Sequence, residues 1–261
     1  MAGSEYLIKE LRRVREAFGL TQEAWGQRIK FSAQHVSSIE RGTRAAHPRY
    51  LEAVDRAFGT AFIEFYREFI VGEAAPVWLR SFIEYEARAS LVRAFQPIVI
   101  PGLLQTEAYA RAVLLGHGRR GENMDAALLT RLHRQDILHR EPEPCQFVAV
   151  LDESVLRRRI GSPDVMRDQL KAVVAACDSP TIGVQVVPAD VGAYPGLDGP
   201  FALASVEGRP IGYLEGHLKG RVIEAPDQAA DLEGVWESIR GYALPVQQSL
   251  DLIMRTAEEW T

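Results

Sequence analysis

The chain of 261 residues contains only two cysteines, Cys145 and Cys177, and no Cys-x-x-Cys pair. Such sparse, unpaired spacing offers neither a disulfide framework nor a zinc knuckle, so two reduced thiols in a cytoplasmic protein are the expectation. Apolar runs are short, and none approaches the ~18 residues that a membrane-spanning helix requires. The opening MAGSEYLIKE carries an acid and has no apolar core, so it does not read as a secretory signal. Histidines number six. His133 and His139 fall on opposite sides of a helix, which leaves them no metal in common. Missing too are the glycine-spaced signatures of nucleotide loops and of serine nucleophiles. The stretch VGAYPGLDGP, Val191 to Pro200, is glycine-rich without GxGxxG or a lysine, and reads as a connection. In LDESVL, Leu151 to Leu156, Ser154 reads as a helix cap because the flanking glycines of a nucleophile elbow are absent. No catalytic residue, metal ligand or cofactor site is nominated, and turnover is not expected.

What the chain does have is the composition of an ordinary globular protein, 47% hydrophobic and 25% charged. Its length allows a small domain followed by a larger one. The net charge of −5 is unevenly spread: residues 1–60 hold ten Lys and Arg against seven Asp and Glu, and the remainder 20 against 28. A basic head on an acidic body directs an anionic partner to the head alone.

In the head, Leu7, Leu11, Val14 and Phe18 recur along one helical face. That helix ends at Gly19, a natural cap. Thr21 and Ser32 then sit where N-caps of two short helices belong. Trp25 and Ile29 line the inner side of the first, and Val36 and Ile39 that of the second. Helices this short need tertiary packing to persist. Gly26, without a side chain, permits close approach where they cross. Pro48 suits the first turn of a further helix, carried by Leu51, Val54 and Phe58 and broken at Gly59. The stripe Phe62, Phe65, Tyr66 and Phe69 reads as core or as a face between subunits.

Thr21-Gln22, Gly26, Ser32, Val36 and SSIERG from Ser37 to Gly42 resemble the helix-turn-helix of the xenobiotic-response-element class. Two positions depart from that pattern: Lys30 stands where the turn usually has glycine, and Trp25 where the first core leucine is usual. A non-glycine residue is tolerated in a left-handed turn at modest cost. The resemblance implies a recognition helix whose N-terminal side chains face base edges in the major groove of double-stranded DNA. Here these are Ser32, Ala33, Gln34 and His35, with Ser38 one turn on. Gln34 is the candidate for bidentate pairing with adenine, and Ala33 for a thymine methyl. Gln22 corresponds to a backbone-anchoring glutamine, and Arg41 and Arg44 follow the helix where phosphates would lie. Glu40 is assigned a structural role, since a carboxylate aimed at DNA would repel it. Readers of this type bind paired half-sites, so a homodimer is expected.

Beyond VGEAAP, Val71 to Pro76, a second domain opens with Trp78, Leu79, Phe82 and Ile83 on a helix expected to run to about Ala94. FQPIVI reads as extended. Pro101-Gly102 makes a turn, and Thr106 caps a helix with Tyr109, Ala112 and Val113 inward. CQFVAVL, TIGVQVV, FALASV, IGYLEG and RVIEA are short β-rich runs, the last three spaced for antiparallel hairpins. Between the first two, Ser162 and Pro163 start a helix with Val165, Met166, Leu170 and Val173 inward, and two helices close the chain at about 227–242 and 245–260. Arg131, Arg134 and Glu86 are candidates for a buried ion network.

IPGLLQTEAYA, RLHRQ at Arg131 to Gln135, QVVPADVGAYPGLDGPFAL and YLEG resemble the uncharacterised, antitoxin-like C-terminal domain attached to many bacterial helix-turn-helix regulators. The expected fold is a mainly α helix-turn-helix bundle in residues 1–70, a linker at 71–76 and an α+β domain at 77–261, with a small, mostly antiparallel sheet and helices. The expected function is a cytoplasmic transcription regulator. Its second domain would sense a small partner protein or a small-molecule ligand; the alternative is an antitoxin-like module that holds a small protein and uses DNA for autoregulation. No membrane partner and no cofactor are expected.

Overall fold

The computed structural model describes residues 2–42, 46, 48–65, 77–118, 122–216 and 220–261. Its helices and strands follow the chain as α1 Ala2–Ala17, α2 Gln22–Ile29, α3 Ala33–Glu40, α4 Pro48–Phe58, α5 Phe62–Phe65, α6 Val77–Arg88, β1 Leu91–Gln96, α7 Glu107–Gly116 and α8 Glu122–His133. They continue as β2 Gln146–Asp152, α9 Ser154–Arg157, α10 Pro163–Ala176, β3 Ile182–Val187, β4 Phe201–Val206, β5 Arg209–Leu214, β6 Arg221–Ile223, α11 Pro226–Arg240 and α12 Val246–Glu259. The chain divides into two compact units, residues 1–75 with 118–133, and residues 76–117 with 134–261.

The first unit is helical. Leu7, Leu11, Trp25, Ile29, Val36, Ile39, Tyr50, Leu51, Val54 and Phe62 form one core, and Leu129 of α8 belongs to it. Phe18 departs from the expected stripe. It is 51% exposed, with its ring centroid still 5.0 Å from that of Phe58, because Gly19 turns the chain away at a φ of 66°. Trp25 fills the place of a leucine by stacking on Phe58, centroids 4.0 Å apart, and its indole N–H donates to the Tyr50 hydroxyl at 3.0 Å. Phe62 lies in the core, whereas the side chain of Phe65 and all of Tyr66, Phe69 and 71–76 lie outside the described residues.

The second unit is α+β around a six-stranded mixed sheet of order β3-β2-β1-β4-β5-β6. β1 runs parallel to β2, with Leu91 opposite Gln146, and β2 parallel to β3; the β1–β4, β4–β5 and β5–β6 pairings are antiparallel. The hairpin joining β4 to β5 turns through Glu207 and Gly208, both at positive φ, the twist that a two-residue connection demands. One sheet face carries Val92, Ala94, Phe147, Ala149, Val184 and Val186 under Phe82, Tyr109, Leu170 and Ile253. The other carries Phe95, Val150, Phe201 and Leu203 under Trp236 and Ile239 of α11.

Three local expectations change. The helix opening this unit stops at Arg88, and Leu91 to Gln96, expected in part to be helical, is the central strand β1. Its alternating side chains are wanted on both faces of the sheet, and two neighbouring strands outweigh a weak helical preference. Ala110, not Ala112, is fully buried on α7. Ser154 does not cap: it is the first residue of α9, and its N–H donates to the Asp152 carboxylate at 2.8 Å.

The IPGLLQT stretch is held by three glutamines. Gln105 donates to the carbonyl of Ile100 at 2.6 Å, Gln135 to those of Gly102 and Gln105 at 2.9 and 2.7 Å, and Gln169 to that of Leu104 at 2.7 Å. Gln169 also accepts from the N–H of Thr106, which in turn caps α7. The neighbouring loop 188–200 is packed as well: Tyr194 donates to Asp152 at 2.7 Å, and Gly196 lies so close beneath Tyr194 and Phe95 that a Cβ would sit 2.3 and 2.4 Å from their rings.

Candidate nucleic-acid interface

Thr21 accepts from the N–H of Ala24 at 3.1 Å and Ser32 from that of His35 at 3.2 Å. Each such cap satisfies an amide that the first turn leaves without a helical partner, and contributes about 1 kcal/mol. Between them Lys30 adopts φ 62°, ψ 40°, the left-handed conformation that ends α2. The chain then doubles back so tightly that Phe31 donates to the carbonyl of Gly26 at 2.8 Å, and a Cβ on Gly26 would lie 2.5 Å from the carbonyl oxygen of Phe31. Gly26 therefore makes room for the turn and the start of α3, rather than for the crossing of two helix bodies.

The angle is locked by Glu40, which ends α3 facing inward. Its two oxygens accept from Arg15 Nε and Nη2 at 2.5 and 2.9 Å, and one also accepts from the Gln22 amide at 2.8 Å. Arg15 reaches the carbonyl of Leu20 as well, and Arg12 donates to the backbone oxygen of Glu40. One carboxylate thus joins α1, α2 and α3. Burial pushes the Glu40 carboxyl up, but the hydrogen bonds from Arg15 and Gln22 and the charges of Arg15 and Arg12 outweigh it, and its pKa falls below the usual range. The arginine is shifted reciprocally upward by its bond to Glu40. The only acid on α3 is consequently buried and neutralised by its neighbours, as its structural assignment required.

Ser32, Ala33 and Gln34 lie together, exposed, on the first turn of α3, where its partial positive end also faces solvent. His35 is half-buried, its ring parallel to Tyr50 at 6.0 Å and edge-on to Phe31 at 5.0 Å. Burial pushes the Tyr50 hydroxyl up to about 12, so it stays neutral beneath this turn. Ser38 bonds back to the carbonyl of Gln34 at 2.8 Å, while exposed Arg41 donates to the Ser37 hydroxyl. Gln22 sits at the start of α2 with its amide on Glu40. Arg44 lies outside the described residues. Arg12, Arg15, Ser37 and Tyr50 were not nominated from sequence. Their roles depend on partners up to 28 positions away, and the basic balance of residues 1–60 does not single them out.

Among the described residues, no group of three or more His, Cys, Asp and Glu could hold a metal ion, and no helix is long and apolar enough to cross a membrane. Comparison with protein-family models matches residues 9–61 to a helix-turn-helix domain and residues 79–255 to a domain of unknown function (DUF5753). No curated protein and no solved structure matches the chain.

Proposed function

The chain belongs to the DUF5753 family through residues 79–255 and carries a helix-turn-helix domain, the module of DNA-binding regulators, and we propose that it is a sequence-specific transcription regulator of the xenobiotic-response-element type. The observation that carries this reading is the division of α3. Val36, Ile39 and Glu40 are sealed inward, leaving Ser32, Ala33 and Gln34 as a neutral, polar, exposed turn at the helix N-terminus. That is the end a recognition helix presents to base edges. Gln34 reads adenine, Ala33 a thymine methyl, and Gln22, Arg41 and Arg44 meet the backbone. His35 and Ser38, already engaged within the head, shape the turn and add contacts at its margin. The working form is a cytoplasmic homodimer on two half-sites, and the sheet unit takes the signal, from a small protein or ligand.

Selection of genomic DNA fragments by the full chain at fixed salt tests this. A half-site motif should be enriched, and Gln34→Ala should lose about 1 to 3 kcal/mol on that motif and relax one base pair. Arg41→Ala should weaken all sequences alike and reduce the salt slope by about 0.9. Equal losses on selected and random DNA for Gln34→Ala would defeat the readout assignment.

A further inference from the structure

The helical head contains a piece of chain that sequence order would give to the sheet unit. α8 clusters with residues 1–75, and its Leu129, 8% exposed, shares the core of Leu7, Trp25, Ile29 and Val36. The DUF5753 match nevertheless runs straight through it. The chain leaves the sheet unit after His117 and returns at Arg134.

Both ends of this excursion are rooted in one loop. On the returning side, Arg134 follows α8 directly and donates twice to Glu86, at 2.7 and 2.8 Å; Glu86 is 3% exposed. Gln135, the next residue, donates to the carbonyls of Gly102 and Gln105. On the departing side, α7 starts from Thr106, whose N–H is held by Gln169, itself bonded to Leu104. Adjacent Cα atoms cannot separate beyond about 3.8 Å, and Leu129 stands about 7.5 Å along the helix from Arg134. A helix moves as a rigid piece over so short a span, so α8 is a direct covalent route from the Gln135 bonds on residues 102–105 to the seat of Leu129.

We infer that α8 is a strap through which the sheet unit sets the stability of the head, with the loop 102–106 as its anchor. It deepens the regulatory reading above, on which the purpose of the strap rests. A signal that reorders the loop biases the head through α8, and by linkage the head biases the loop equally.

Hydrogen exchange of the full chain, without DNA, measures this directly. Gln135→Ala removes two bonds inside the sheet unit, yet it should speed exchange of the α2 and α3 amides at least fivefold. Leu129→Ala should in return speed exchange of the amides of Leu103 to Thr106. Val184→Ala weakens the same sheet unit through β3, away from the anchor, and should leave the head at its wild-type rate. Effects confined to the mutated unit, or equal loosening of the head by Gln135→Ala and Val184→Ala, overturn the strap. Coupling that persists in a chain that selects no DNA sequence supports the strap and overturns the DNA-reading proposal instead.

Discussion

Removing the Glu40 carboxylate should loosen the recognition helix far more than its peripheral position in sequence suggests. Glu40 is 4% exposed and holds Arg15, whose side chain is 11% exposed, by two hydrogen bonds. Glu40→Ala leaves that guanidinium with the Leu20 carbonyl and with Glu16, an exposed carboxylate 3.6 Å away. An uncompensated, fully buried charge costs about 3 to 5 kcal/mol. Because Arg15 keeps these partners and a path to water, about 2 to 4 kcal/mol is expected; the half-exposed Arg12 adds almost nothing. Exchange of the α2 and α3 amides reports it, at roughly tenfold per 1.4 kcal/mol, so rates should rise about 30- to 700-fold while β1 to β3 stay unchanged. The same carboxyl titrates below its ordinary value because its charged form is the one bound. Its contribution is complete above the unfolded pKa, about 4.3, and is lost as pH falls through the lower folded value. The wild-type head should therefore loosen in acid, relative to Glu40→Gln, which lacks this transition. A change under about threefold in Glu40→Ala, or identical acid profiles for wild type and Glu40→Gln, would refute the reasoning.

Gly26→Ala places a methyl 2.5 Å from a backbone oxygen that cannot swing aside, so it should cost about 1 to 3 kcal/mol in urea unfolding of the head; a neutral result would mean the turn relaxes freely. Lys30→Gly removes left-handed strain of about 1 to 2 kcal/mol and adds about 0.5 to 1 kcal/mol of unfolded-chain entropy, so the head should be unchanged or stabilised by up to about 1.5 kcal/mol, and a clear loss would contradict the left-handed turn. Gln169→Leu is nearly isosteric and wholly buried, yet it strands the Leu104 carbonyl and the Thr106 N–H; thermal unfolding should show a loss of about 2 to 5 kcal/mol, and a loss below about 1 would exclude Gln169 as a fastener of that loop.

Local chemistry makes much of this protein legible in its sequence. Thr21, Ser32, Thr106 and Ser162 all cap the helices that follow them, because a cap bond closes over three residues and is written within one short stretch. The inward Trp25, Ile29, Val36 and Ile39 follow from periodicity, and the hairpin of β4 and β5 from the short gap EGRP, of which folding leaves only Glu207 and Gly208 as the turn. The sheet's centre is not legible in this way. β1 lies between β2 and β4, segments about 50 and 110 residues further on, and nothing within Leu91–Ala94 marks a strand once a helix has begun at Val77; only Phe95 and Gln96 read as extended. Glu40 is legible as structural through the family resemblance, but its partner Arg15 looks like a surface charge until α1 and α3 bring the two to 2.5 Å. Gln105, Gln135 and Gln169 look like solvent-facing amides until the fold gathers them around the carbonyls of one short stretch, Ile100 to Gln105. Whether α8 joins the head or the sheet depends on where Leu129 finds apolar surface. Residue order alone dictates where elements begin, which face of each is apolar and which turn of α3 is polar. Folding settles which distant charges, amides and strands meet, because burial and hydrogen bonding between segments take effect only once the chain has brought them together.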